Sequence, residues 1–79
     1  MTLEEYQSVC IQLMQSASLL DNYENPAEKR KAAFSTQIRV LDLLERLALE
    51  PKDEFFDDKF ASIRATLQGA TLALSKVII

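Results

Sequence analysis

Few residues in this 79-residue chain are of types that carry out chemistry, and the first of them is its only cysteine, Cys10. A thiol acts as a nucleophile only after a base or a positive field converts it to the thiolate. The sequence contains no histidine to serve as that base. Cys10 also belongs to a helical repeat of apolar residues, so we expect a small buried side chain there and no catalytic role.

A second candidate is an acidic segment that comprises Glu50, Asp53, Glu54, Asp57 and Asp58. Acidic residues near the amino end of a helix gain from its dipole, so one interpretation is a solvated helix start. Like charges four residues apart on a helix repel each other, which is mildly destabilising and suggests that the patch has a use. A second interpretation is therefore a binding surface for a basic partner, formed by Asp53, Glu54, Asp57 and Asp58. Calcium binding is not expected, because the D-x-D-x-D-G loop pattern is absent.

A basic cluster, Lys29, Arg30 and Lys31, could contact phosphates if it lay on a recognition helix. Glu24 and Glu28 flank the cluster, and the net charge of the chain is −3, so we expect a solvated charge run and no general binding of nucleic acid. A dimeric DNA-associated regulator, which would present this cluster twice through symmetry, stays open as a lesser alternative.

Other chemistries find no support in the residue types. One cysteine without histidine does not make a set of zinc ligands, and no catalytic or phosphate-binding motif is present. We therefore predict no enzymatic activity, cofactor, metal or small-molecule substrate. No apolar stretch reaches the roughly 18 residues of a membrane span, and residues 1–5 are acidic, unlike a signal peptide. We predict a cytoplasmic protein without membrane contact.

Apolar residues at steps of three and four define the helices that carry the cysteine, the acidic segment and the basic cluster. One seam runs from Leu3 to Leu20 and another from Phe56 to Val77, as in helices that pack against neighbours. Between them lies a helix with two apolar rows, which predicts a broad apolar surface and a central position. The rows comprise Phe34, Ile38, Leu41, Leu44 and Ala48, and Ala33, Val40, Leu43 and Leu47.

Capping residues and prolines set the ends of the helices. Thr2 and Glu5 match a capping box, Asn25 suits an N-cap before Pro26, and Pro51 closes the second helix. The predicted helices span residues of about 2–20, 26–49 and 53–77.

Short connections make consecutive helices antiparallel, so we predict an all-α fold, an up-down-up three-helix bundle that forms a single domain over residues 1–79. In that bundle we expect Leu13, Leu41 and Leu67 to be core positions. Gly69 is expected to permit a close approach between helices.

The apolar content of the chain, 48%, is high for a domain of this length, which can bury only a limited core. The surplus predicts contact with another protein or with a second copy, as a homodimer or a hetero-complex. The residues expected to make this contact are Val9, Ile11, Met14, Leu72, Ile78 and Ile79. The sequence thus predicts a non-enzymatic protein–protein interaction module, which would be a small adaptor, a chaperone or an oligomerising protein.

In size and helical pattern the chain resembles small acidic helical chaperones of bacterial secretion systems, and also small phage or plasmid proteins that block a host factor. No diagnostic motif assigns it to a family. The first resemblance implies an adaptor or chaperone. The second implies an alternative function, an inhibitor that covers a basic functional site of a larger protein with the acidic segment.

Overall fold

The computed structural model describes the backbone of residues 2–51 and 54–79, and the side chains of these ranges apart from residues 54–57 and 59. The helices are α1 (Leu3–Ser18), α2 (Pro26–Ala48) and α3 (Glu54–Ile78), and a short 3₁₀ turn (Leu19–Asn22) follows α1. Within the described backbone there is no β-strand. The all-α, three-helix bundle predicted from the sequence is confirmed.

Helix α1 begins with the predicted capping box. The backbone N–H of Glu5 donates to Oγ1 of Thr2, and the N–H of Thr2 donates to Oε1 of Glu5, both at 3.2 Å. The helix ends earlier than predicted, at Ser18, and tightens into the 3₁₀ turn, where the N–H of Tyr23 donates to the carbonyl of Leu20 at 3.2 Å. Such a turn pairs carbonyl groups that the end of an α-helix leaves open.

Helix α2 begins at Pro26 because Asn25 caps it. Oδ1 of Asn25 accepts hydrogen bonds from the N–H groups of Ala27 at 2.9 Å and Glu28 at 3.3 Å. The helix ends at Ala48, and α3 runs one residue beyond the predicted end, to Ile78. The predicted start of the third helix, residue 53, lies outside the described residues.

The helices are arranged as an antiparallel pair, α2 and α3, with α1 packed against both. The α2–α3 contact is the most extensive of the three. A side chain fixes its register, because Nε2 of Gln37 donates to the carbonyl of Thr71 at 3.2 Å and to Oγ of Ser75 at 2.8 Å. The Cα atoms fill an elongated volume of 45 × 20 × 15 Å.

The two predicted seams meet in the core. Leu3, Ala17 and Val77 pack against its edge, and the side chain of Phe56 lies outside the described residues. The ring of Tyr6 contacts the ring of Phe60 edge-on, with the centroids 5.3 Å apart. The buried apolar residues are Tyr6, Cys10, Leu13, Leu20, Ala33, Val40, Leu43, Leu47, Phe60, Ile63, Leu67 and Leu74.

The broad apolar surface predicted for α2 is only partly buried. The row that contains Val40 and Leu43 lies in the core, and Leu44 of the other row packs against it, whereas Phe34, Ile38 and Leu41 of that other row are about half exposed. The physical reason is that α1 and α3 cover neighbouring sides of α2, so the remaining side of the helix has no helix packed against it in the described part of the chain. Leu41 is therefore not a core position.

The expected role of Gly69 is also wrong. A Cβ atom added to Gly69 would meet no atom within 4 Å, so no helix approaches closely there. Its backbone has an ordinary negative φ, which any residue can adopt. Nothing in the local packing requires a glycine.

Leucine-to-alanine substitutions should destabilise the protein more at buried positions than at an exposed one. Leu13 and Leu67 are 0% exposed, so replacement of either by alanine should lower the free energy of unfolding by about 2–5 kcal/mol. Leu41→Ala, at a side chain 48% exposed, should cost less than about 1 kcal/mol. Urea denaturation followed by circular dichroism measures all three, and an equal loss in the three variants would contradict the observed facing of α2.

Gly69→Ala should stabilise the protein. Alanine favours a helix interior by about 0.5–1 kcal/mol over glycine, and the added methyl group enters open space. A rise in the urea midpoint with an unchanged slope would show this gain. A fall in the midpoint would mean that the methyl group meets an obstacle.

Candidate interaction surface

The thiol of Cys10 is free and buried at the α1 seam, as predicted. Burial raises its pKa above the ordinary value for a cysteine. The thiol is therefore protonated at neutral pH, which is the unreactive form. Its surroundings suit packing and not nucleophilic chemistry.

The acidic segment can be described only in part. Asp58 is exposed on α3. Asp53 and the side chains of Glu54 and Asp57 lie outside the described residues. Glu50 is half-buried and belongs to the packing between α1 and the end of α2. Among the described residues, no group of three or more His, Cys, Asp or Glu side chains could hold a metal ion.

A partly buried hydrogen bond joins Tyr6 to Glu50. The hydroxyl of Tyr6 donates to Oε1 of Glu50 at 2.6 Å, and the tyrosine is 1% exposed. Burial, this hydrogen bond and the negative charge of Glu50 together raise the pKa of Tyr6 to about 12. Sequence reasoning missed the pair, because its members are 44 positions apart and no local pattern links them. The bond ties α1 to the segment that follows α2.

The basic cluster does not act as one surface. Lys29 is half-buried, and its Nζ lies 3.7 Å from Oδ1 of Asp21, at the end of the 3₁₀ turn. Arg30 and Lys31 are exposed. One cation of the three is thus directed to an ion pair within the fold.

The predicted apolar contact residues are spread over two helices and the chain end. Ile11 is exposed on α1, in a groove that it shares with Ser62 and Thr66 of α3. Leu72 is exposed on α3, and Ile79 is fully exposed after the end of that helix. Val9, Met14 and Ile78 are partly buried and pack against the core. The structure therefore does not bring these six residues together on one surface.

A different set of apolar residues does share one surface. Phe34, Ile38 and Leu41 of α2 are 55%, 53% and 48% exposed, and Leu72 of α3 is 69% exposed. We call these four side chains the outer face. Sequence reasoning found Leu72 but assigned the other three to the core, because their spacing alone is that of a core row.

Two sets of contacts locate the outer face on α2. Gln37 points to α3, through its bonds to Thr71 and Ser75. Arg39 and Asp42 line a groove with Val9 and Leu13 of α1, so α1 lies on their side of the helix. At 100° per residue, positions 34 and 41 lie about 60° and 40° from position 37, and position 38 lies about 100° from it, next to position 42. All three face away from the buried Val40 and Leu43, with Phe34 and Leu41 nearer to α3 than Ile38.

The same argument places Leu72 on this side of α3. Gly69, Ala73 and Val77 line the groove that α3 forms with α1. Leu72 follows Thr71, which contacts α2, and lies about 100° around the helix from Ala73, about 140° from Val77 and about 60° from Gly69 at the edge of that groove. The outer face is thus the side of the α2–α3 pair opposite α1.

None of the helices in the described ranges combines the length and the hydrophobicity that a membrane crossing requires. Comparison with known proteins finds no matching family model, no matching curated protein and no matching solved structure.

The Tyr6–Glu50 bond predicts a specific pH dependence of stability. The pKa of Tyr6 is raised from 10.0 to about 12 in the folded protein. Its contribution is therefore complete below about pH 10 and is lost as the pH rises toward about 12. Tyr6→Phe removes the bond, so it should lower the free energy of unfolding by about 1–3 kcal/mol at neutral pH and flatten this alkaline decline.

Urea denaturation at neutral pH and at steps between pH 9 and 12 measures both effects. Tyr23→Phe, at an exposed tyrosine, is the matched control and should behave as the parent does. An alkaline decline of the same size in Tyr6→Phe and the parent would assign it to other groups.

Proposed function

We propose that this protein is a non-enzymatic interaction module that binds another protein chain through the outer face. The observation that supports the proposal is the cluster of four large apolar side chains, each about half or more exposed, on one side of a folded pair of helices. Complete burial of such a side chain is worth about 1.5–3 kcal/mol. A partner that covered the whole cluster would gain several times that amount before the costs of association.

The shape of the outer face fits an amphipathic helix. On α3, Ala61 and Ala65 are exposed and share the side of Leu72 at steps of four and seven residues. Small side chains beside the larger ones of α2 would let a further helix lie close to the pair. Such a helix would complete a four-helix arrangement, the packing that antiparallel helix pairs commonly adopt.

The chemistry of the outer face favours an adaptor, a chaperone or an oligomerising protein over an inhibitor of a basic site. An inhibitor would depend on the acidic segment, whereas the exposed side chains that support this proposal, those of Phe34, Ile38, Leu41 and Leu72, are apolar. Hydrophobic contact would supply the affinity, and the charged residues around the outer face would supply selectivity. The cytoplasm, where a lone free thiol such as that of Cys10 is common, is the proposed setting.

Matched aspartate substitutions test this function. Ile38→Asp and Leu72→Asp change exposed positions of the outer face, and Ile11→Asp changes a residue 58% exposed on α1, outside that face. We expect the first two variants to lose the proteins that the parent captures from native lysate, at least tenfold, while Ile11→Asp retains them.

Far-ultraviolet circular dichroism should show the same helical content in the three variants, because all three positions are exposed. Equal capture by all three variants and the parent would contradict a role for the outer face. Loss of capture in Ile11→Asp alone would assign binding to the groove between α1 and α3.

A further inference from the structure

On α2, the apolar residues of the outer face lie between a basic residue at one end and an acidic residue at the other. Lys31, Phe34, Ile38, Leu41 and Glu45 follow one another at steps of three and four residues, so they lie on one stripe of the helix. Lys31 precedes Ile38 by seven residues (38 − 31), and Glu45 follows it by seven (45 − 38). Both charged side chains are exposed, each about 10 Å from Ile38 along the helix.

Helix α3 carries the same two signs of charge, in the reverse order along the chain. Asp58, Ala65 and Leu72 are seven residues apart and share a side of the helix, and Lys76 follows Leu72 by one turn. Asp58 and Lys76 are both exposed. Because α2 and α3 are antiparallel, Lys76 lies at the same end of the pair as Lys31. The outer face therefore has a basic end, an apolar centre and, at Glu45 and Asp58, an acidic end.

We propose that the outer face binds a second copy of this chain, across a twofold axis that passes near Ile38. The inference rests on the proposed function and names its partner. A twofold axis at the centre turns one copy end for end relative to the other. Lys31 of each copy then faces Glu45 of the other, and Phe34 faces Leu41.

Self-complementarity is what favours a second copy over an unrelated helix. In an isologous interface the same surface meets itself, so attractive charges must be placed symmetrically about the axis. Lys31 and Glu45 meet this condition, since each lies seven residues from Ile38. Lys76 and Asp58 lie four and 14 residues from Leu72, so they add to the charge of the two ends but do not face each other across the axis. A surface of uniform charge would instead repel its own copy.

The resulting dimer has a central layer of four helices, α2 and α3 of each copy, with each α1 on the outside. The apolar centre from both copies is buried between the pairs, and the charged ends form the rim.

The first experiment measures the mass of the full chain in solution. Sedimentation equilibrium from about 1 to 500 µM should give a dimer for the parent and for Ile11→Asp. Ile38→Asp, which introduces two charges at the axis, should give a monomer that keeps the helical circular dichroism spectrum and whose melting temperature no longer rises with protein concentration. A parent that remains monomeric over the whole range would overturn the inference, as would a dimer unaffected by Ile38→Asp.

The second experiment tests the register with charge reversals. Lys31→Glu alone or Glu45→Lys alone sets like charges against each other at two places in the dimer, so each should weaken it by about tenfold. An equimolar mixture of the two single variants should restore dimerisation, because every contact in the mixed dimer again joins opposite charges. Arg39→Glu, at an exposed position on the α1 side, is the control and should leave the affinity unchanged.

The outcomes separate this inference from the proposed function. Single variants that dimerise as the parent does, or a mixture that is no stronger than its components, would overturn the twofold register. A monomeric parent whose capture of other proteins is abolished by Ile38→Asp would overturn the second copy as partner and still support an interaction module. A dimer restored by mixing supports both.

Discussion

A single short helix covers only one side of the α2–α3 pair, and this limit determines most of what is distinctive in the structure. An antiparallel pair of helices has two faces. The 16 residues of α1 pack on one of them and complete a core with the buried rows of α2 and α3. The opposite face has no helix over it in the described part of the chain, although it presents the aromatic ring of Phe34 and three aliphatic side chains. The core and the outer face are therefore two sides of the same pair.

Polar contacts give this small core its definite register. Apolar side chains in a helical bundle tolerate sliding, since many neighbouring arrangements bury similar areas. The amide of Gln37 reaches two acceptors on α3, and the hydroxyl of Tyr6 reaches the carboxylate of Glu50. Each bond loses its partner if a helix shifts by one turn, and a half-buried polar group without a partner costs free energy. These bonds therefore specify one alignment of α1, α2 and α3.

Local signals in the sequence predicted the helices well, and non-local contacts explain the errors. The caps at Thr2 and Asn25 depend on residues within three positions, so the starts of α1 and α2 could be predicted. The facing of α2 could not, because its two apolar rows have the same helical period, and only the positions of α1 and α3 decide which row is buried. Leu41 was misplaced for this reason. The Tyr6–Glu50 bond joins residues too far apart in sequence for any periodicity to reveal.

The unequal packing of the three helices implies an order in which the fold comes apart. The α2–α3 contact is more extensive than either contact of α1, and the groove between α1 and α3 is lined by small residues such as Gly69 and Ala73. Release of α1 is thus the least costly partial opening of the domain. Amide hydrogens in α1 will exchange with solvent before those of the α2–α3 pair. Each such opening also exposes a second apolar surface, on the side of the pair opposite the outer face.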